Sequence, residues 1–273
     1  MRLKKYVSAV LILCISSTFF AGCEKTGSRE PSDTEHFTEI VVGSDDYPPF
    51  NYVDENGDYV GIDAELAEEA FKRLGYKPVF QYIDWENKKA LLENGEIDCI
   101  WDCFSTEGRE NEYQWTDPYM VSRQVVAVNV NSDIYDLADL EGKVVAVQST
   151  TKPESLCLAD DGSAATKIKQ LYSLEDRELI YTLLGKGYVD AVAAHETAIL
   201  QYMKDYGVEY RILDECLLET GLGVAFSIHD DRGINDKLSK VLKEMREDGT
   251  MKRILGKYVS DADKYLEVEK LEK

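Results

Sequence analysis

The stretch KVVAVQSTTKPESLCLADDGSAATKIKQLYSLEDRELIYTLLGKGYVDAVAAHE, residues 143–196, decides the fold. Lys143 to Val147 is a β-branched apolar run closed by the polar turn Ser149-Thr150-Thr151, and it reads as a strand. Glu154 to Ala159 suits a helix and Ile168 to Leu171 a second strand. Ser173 is placed to cap a helix over Leu174 to Leu184, with Glu175 and Asp176 at its positive end. Gly185 and Gly187 end that helix, and Val189 to Ala194 is a third strand. Strands that alternate with helices in this way imply parallel sheets covered by helices on both faces.

The same succession occurs upstream. Glu39 to Gly43 is a short strand, and Asn56-Gly57 is a hairpin turn between Tyr52-Val53 and Tyr59-Val60. Ile62 to Leu74 places Ile62, Leu66, Ala70, Phe71 and Leu74 on one helical face, and Gly75 and Pro78 close it. Val79 to Ile83 is a strand, Trp85 to Glu93 a helix and Ile97 to Trp101 a strand. Between the two repeats run Gln124 to Val130, and after the second runs Gly221 to Phe226, both extended. Two extended crossings between similar halves predict a two-stranded hinge. Ile234 to Leu255 is an amphipathic helix expected to pack back on the first half. Lobe 1 is then discontinuous, 39–125 with 222–273, and lobe 2 spans 126–221.

The N-terminus speaks to compartment. Arg2, Lys4 and Lys5 precede an apolar run from Tyr6 to Phe20, shorter than the roughly 20 residues that a spanning helix needs. A basic start, a short apolar core and then small residues is the layout of a secretory signal peptide, residues 1–22. Phe20-Ala21-Gly22-Cys23 resembles the lipobox of bacterial lipoproteins, with Phe20 where leucine is usual. That resemblance implies cleavage before Cys23, lipid on its thiol and a place on the extracytoplasmic face of the cell membrane. Residues 23–38 are polar and rich in Gly, Ser and Pro, a tether with a reach of roughly 20 Å.

Cleavage removes three basic residues and no acid, which leaves 28 basic residues against 52 acidic, a net charge of −24. Such a charge repels phosphate backbones and argues against nucleic-acid binding. Cys14 leaves with the signal peptide, and four cysteines remain besides Cys23. With three histidines in the chain and no close ligand spacing, no metal or other cofactor is expected. Cys157 with Cys216 is a possible disulfide in an oxidising compartment, and buried free thiols are the alternative.

In open α/β sheets ligands bind beyond the carboxyl ends of the strands. The turns concerned are Ser44 to Phe50, Asp102 to Arg109, Gln148 to Thr151 and His195-Glu196. Tyr47-Pro48-Pro49-Phe50, Gly61-Ile62-Asp63-Ala64-Glu65-Leu66, Asn94-Gly95-Glu96-Ile97-Asp98, Thr106-Glu107-Gly108-Arg109 and Trp115-Thr116-Asp117-Pro118-Tyr119 follow in order. With Leu137 to Lys143 and Glu247 to Met251, they make a chain that resembles the family 3 extracellular solute-binding proteins, the amino-acid-binding components of ABC importers. The resemblance covers Ile40 to about Val259 and implies a two-lobed α/β fold of the type II periplasmic-binding-protein kind.

It also implies a binding site. The family's Thr-x-x-Arg arginine holds the ligand α-carboxylate, and Thr106 and Arg109 match that motif. A guanidinium fork suits that task because it grips a carboxylate through two parallel bonds. Thr150 and Thr151 offer hydroxyls and N–H groups at a helix start, with Ser149 where the family has glycine. Ser44 and Tyr47 fall in the first turn, and Tyr47 and Phe50 frame a pocket or its floor. Trp101, Asp102 and Phe104 stand where the family has small residues, so they reshape it. His195 stands where the family has an aspartate for the ligand ammonium. Glu196 or Asp102 takes that role, or the ligand lacks a standard ammonium, or His195 donates to an acidic ligand.

The implied function is passive: a monomer closes its lobes on an amino acid or related small carboxylate and docks on an ABC permease. An enzyme on the same fold, dehydratase-like, is the alternative, but no nucleophile elbow or Ser-His-Asp order is present. A receptor module is a third reading, and the charged, helical Asp261 to Lys273 has no apolar span to serve it.

Overall fold

The computed structural model describes residues 37–159 and 161–272. The signal segment and Cys23, with the tether up to residue 36, lie outside the described residues. Two five-stranded mixed sheets carry the fold. The first half supplies β1 (Thr38–Ser44), the hairpin β2 (Tyr52–Val53) and β3 (Tyr59–Val60), α1 (Ile62–Arg73), β4 (Tyr76–Tyr82), α2 (Lys88–Glu93), β5 (Cys99–Ile100) and β6 (Gln114–Trp115). The chain continues through β7 (Met120–Asn129), β8 (Val144–Gln148), α3 (Lys152–Leu158), β9 (Gln170–Leu174), α4 (Arg177–Gly185), β10 (Ala191–His195), α5 (Glu196–Tyr206) and β11 (Tyr210–Leu222). It closes with β12 (Ala225–Phe226), α6 (Ile234–Glu247), α7 (Thr250–Leu255) and α8 (Ala262–Leu266).

The first sheet runs β4-β1-β5-β12-β6 and the second β11-β7-β10-β8-β9. Within each, the strands of the βα repeats are parallel: β1 with β4 and β5, and β8 with β9 and β10. The expectation of parallel sheets is corrected at one side of each, where β12 and the β7–β11 pair are antiparallel to their neighbours. The reason is topological, since β7 and β12 enter from the other sheet rather than through a helix of their own, and β11 pairs on the outer side of β7. The first crossing lies upstream of where it was expected, because Gln124 to Asn129 are inside β7 of the second sheet, and the two crossings are zipped together: Tyr119 N–H donates to the Leu222 carbonyl at 2.9 Å and Thr116 N–H to the Val224 carbonyl at 3.0 Å. This is the two-lobed type II solute-binding fold with its two-stranded hinge.

Each helix follows from its pattern. On α1, Ile62, Leu66, Ala67, Ala70 and Phe71 are buried, Asp63 and Glu65 sit in the first turn and Lys72 and Arg73 in the last, matching the helix dipole. The C-terminal helix packs Ile234, Leu238, Val241, Leu242 and Met245 into the same core as α1. It is two helices rather than one, because Gly249 takes φ +80° and breaks the path between α6 and α7.

Two further expectations change. Ser173 lies in β9, paired with Val147, and the cap of α4 is Asp176, whose side chain accepts from the N–H groups of Glu178 and Leu179. The helix therefore starts three residues later than expected, at Arg177. The second is β11, which extends well upstream of Gly221. Register shifts between Ile212 and Leu218 break its period-two pattern and hide it from sequence. Cys99, Cys103, Cys157 and Cys216 are free thiols, so of the two readings for Cys157 and Cys216 the unpaired one holds.

Candidate functional site

The carboxyl ends of β1, β5, β8, β9 and β10 converge on one cleft. Tyr47, Trp85, Asp102, Phe104, Arg109, Gln124, Gln148, Thr151, Arg177 and His195 are among the residues that line it. The side chains leave a free volume of only about 30 Å³ between them, so the cleft is drawn closed around a small space.

The first sheet supplies one wall. β1 ends at Ser44, and Asp45 and Tyr47 follow in a turn closed by Tyr47 N–H to the Asn51 carbonyl at 2.6 Å. Asn51 in turn donates to the Trp101 carbonyl and to Asp102 Oδ1, both at 2.9 Å. Cys103 adopts φ +48°, a left-handed conformation that Asp63 stabilises by accepting its N–H at 2.6 Å. That bend aims Phe104 at the cleft. Beyond it lies Arg109, mostly buried, with its guanidinium 4.9 Å from the Phe104 ring centroid. One of its nitrogens donates to the Ser105 carbonyl at 3.1 Å, and no carboxylate among the described residues pairs with it. Burial lowers its pKa from the usual value.

The second sheet supplies the other wall. Thr150 adopts φ +55°, and its N–H donates to Glu154 Oε2 at 2.6 Å. Thr151 caps the turn through its hydroxyl, which donates to the Gln148 carbonyl at 2.6 Å. His195, at the end of β10, is 7 % exposed. Ser122 Oγ lies 2.7 Å from its Nδ1 and Gln124 Nε2 lies 2.8 Å from its Nε2. Burial, joined by the positive charges of Arg177 and Arg109, lowers its pKa to about 3. The ring is neutral at physiological pH.

Several bonds tie the walls together. Arg177 grips Asp45 with both guanidinium ends, at 3.1 and 3.2 Å, and Gln148 Nε2 donates to Asp45 Oδ2 at 3.0 Å. Lys88 donates to the Thr150 hydroxyl at 2.9 Å, and Lys152 to the Glu107 carbonyl at 3.1 Å. Burial, with the nearby Arg109 charge, lowers the Lys88 ammonium to about 8. Burial pushes Asp45 upward, but the Arg177 charge together with the hydrogen bonds from Asp102, Gln148 and Arg177 outweighs it, and Asp45 stays below the usual carboxylate value. Burial and the neighbouring Asp45 charge push Asp102 well above the usual carboxylate value.

Of the residues expected at the site, Tyr47, Asp102, Phe104, Arg109, Thr151 and His195 come together in the cleft. Ser44 and Trp101 are buried behind it, and the Trp101 ring packs edge-on against Phe71. Thr150 stands at its rim on Lys88. Glu196 points away, paired with Arg123 at 2.7 Å and Lys264 at 2.8 Å. Asp45, Gln124, Gln148 and Arg177 were not singled out. Asp45 and Gln148 lie in turns that the sequence already marked, whereas Arg177 was concealed inside a helix drawn too early. Among the described residues no cluster of three or more His, Cys, Asp or Glu side chains could hold a metal ion.

The buried histidine gives a stability test. Its folded pKa of about 3 lies below the ordinary 6.5, so the unfolded chain binds the extra proton between those values. Its contribution is intact above pH 6.5 and is lost as pH falls, by at most about 1.4 kcal/mol per pH unit. Thermal unfolding followed from pH 7 to 5 should fall more steeply for the parent than for His195→Gln. Equal slopes would mean that His195 titrates normally.

The model of the bacterial extracellular solute-binding proteins, family 3, matches residues 40–261. The L-cystine-binding protein TcyA of Bacillus subtilis strain 168 is 30 % identical over 228 residues, covering 81 % of this chain and 81 % of that protein. The histidine-binding periplasmic protein of Salmonella typhimurium strain LT2 is 31 % identical over 237 residues, 83 % of this chain and 89 % of that one. In structure, an ancestral arginine-binding protein bound to arginine superposes with a TM-score of 0.73 at 30 % identity, covering 81 % of this chain and 97 % of that one.

Proposed function

The chain belongs to family 3 of the bacterial extracellular solute-binding proteins, and on that basis we propose that it is the lipid-anchored binding component of an ABC importer. It captures an amino acid or related small carboxylate between its lobes and hands it to a permease. The observation that carries the ligand class is Arg109: a mostly buried guanidinium facing the cleft, with one carbonyl partner and no acid among the described residues. Leaving such a charge unpaired costs several kcal/mol that a ligand carboxylate recovers. The rest of the cleft agrees. Its histidine is neutral and Asp45 is paired with Arg177, while Arg109 and Lys152 bring positive charge to the lining and burial disfavours the charged form of Asp102.

Lobe 1 is assigned to residues 39–125 with 222–273 and lobe 2 to 126–221. Cys23 is assigned as the lipidated residue. No helix among the described residues is long and apolar enough to cross a membrane, and one lipid-modified cysteine with a short tether would hold the protein beside its permease. Incorporation of labelled palmitate that disappears in Cys23→Ser tests the anchor.

The ligand class is tested by calorimetric titration of the mature protein with the common L-amino acids, small carboxylates and the matching carboxamides. Free carboxylates should bind, and each carboxamide should bind about 10- to 100-fold more weakly, the worth of a charged hydrogen bond. Carboxamides that bind equally well would remove Arg109 as the clamp. Recovery of the bound compound unchanged after long incubation separates binding from the dehydratase-like alternative.

A further inference from the structure

Arg177 is the first residue of α4, and it reaches out of the second half of the molecule into the first. Its guanidinium lies over the ring of Tyr47, 3.0 Å from the centroid, and its two ends meet the two oxygens of Asp45. It also donates to the Asp46 carbonyl at 3.4 Å and to Gln148 Oε1. Both partners of the ion pair are deeply buried, with side chains 9 % and 8 % exposed. A carboxylate fork beneath a planar cation, with an aromatic face on one side and a carbonyl at the edge, is a complete receptor for a guanidinium or amine. Here its occupant is part of the chain.

We propose that Arg177 is a specificity-determining residue that acts as a built-in cation: it fills the seat formed by Asp45 and Tyr47 and bars ligands that carry a positive end. The inference rests on the cleft being the ligand site. A free cationic ligand would have to expel Arg177 into solvent and replace an intramolecular pair that bears no association cost. A ligand with a neutral or anionic end needs no such exchange and finds Arg109 beside it. The seat is also shut against the ligand ammonium, since the remaining carboxyl of the cleft wall, Asp102, is hydrogen-bonded by Asn51 and the Asp45 backbone N–H at 3.2 Å. The selected ligands are therefore acids without a strongly basic group at the end away from Arg109.

The test is a gain of binding. Arg177→Ala should empty the seat, and Arg177→Gln, of similar length and neutral, serves if the smaller side chain fails to fold. Calorimetry with L-arginine should give an affinity about 10- to 100-fold higher for the variants than for the parent. Millimolar guanidinium chloride, against sodium chloride at equal ionic strength, should raise the melting temperature of the variants and leave the parent unchanged. The second change Asp45→Asn should cancel both gains. A parent that binds L-arginine as tightly as its variants, or folded variants without any guanidinium response, would overturn the proposal. The guanidinium response needs no knowledge of the natural ligand. It can therefore succeed or fail whether or not small carboxylates bind, and failure of the function proposed above is read separately.

Discussion

Arg109→Ala should lose ligand binding by two to three orders of magnitude while the ligand-free protein melts no lower than the parent. The two halves of this result have one cause. Truncating one partner of a buried, hydrogen-bonded charge pair costs about 2–5 kcal/mol of binding. Among the described residues the guanidinium meets only the Ser105 carbonyl at 3.1 Å and the Phe104 face, and its burial disfavours the charge. Removing it takes away a desolvation cost with little lost in return, which is the trade between stability and function expected at a binding site. Arg109→Lys should fall between, because an ammonium keeps the charge but not the planar fork. Titration calorimetry and melting of the same samples check both halves. A variant that melts well below the parent and binds unchanged would make Arg109 a structural residue.

Among the described glycines, Gly61→Ala should be the most damaging exchange for alanine. Gly61 adopts φ +124°, and a Cβ there would lie 2.2 Å from the Phe50 carbonyl oxygen. The close approach exists because the amides that follow serve the pocket turn: Ile62 N–H donates to the Pro49 carbonyl at 2.8 Å and Asp63 N–H to the Phe50 carbonyl at 2.9 Å. The Asp63 side chain then holds Cys103 N–H and, at 2.8 Å, the Tyr119 hydroxyl. A clash against backbone cannot be relieved by a rotamer change, so a loss of roughly 3–5 kcal/mol is expected, or a melting temperature lower by about 10 °C. Gly57→Ala is the control. It has φ +88° but nothing within 4 Å of the added Cβ, and should cost about 1 kcal/mol. Equal losses would mean that φ alone, and not the contact with Phe50, sets the cost at Gly61. If Gly61→Ala folds, its ligand affinity should drop too, since the displaced turn carries Tyr47.

Much of this was legible in the residues. The βα repeats, the α1 face and the hairpin at Asn56-Gly57 follow from local patterns that the tertiary structure reinforces rather than opposes, which is why β2, β3 and α1 fall where the pattern placed them. The resemblance located Arg109, Thr151 and Tyr47 because each lies in a short motif with its own signature. Three features had no such signal. The length of β11 was masked by its bulges, the start of α4 was claimed by Ser173 when Asp176 is the better-placed cap, and α6 and α7 read as one face across Gly249.

The division between the two levels is physical. Periodicity, capping and turn chemistry act over a few residues, so local patterns alone set the α/β class, the two halves and the turns at which a ligand could sit, but not where the first crossing falls, since Gln124 to Val128 pair within the second sheet. Which side chains share the cleft depends on contacts across large separations. Asp45 meets Arg177 132 residues away and Gln148 103 residues away, while Glu196, adjacent to His195, turns to Arg123 and Lys264 instead. Electrostatics at that range is set by burial, so it is three-dimensional packing that makes His195 neutral, pushes Asp102 above its ordinary value and puts Arg177 in the seat beside Tyr47.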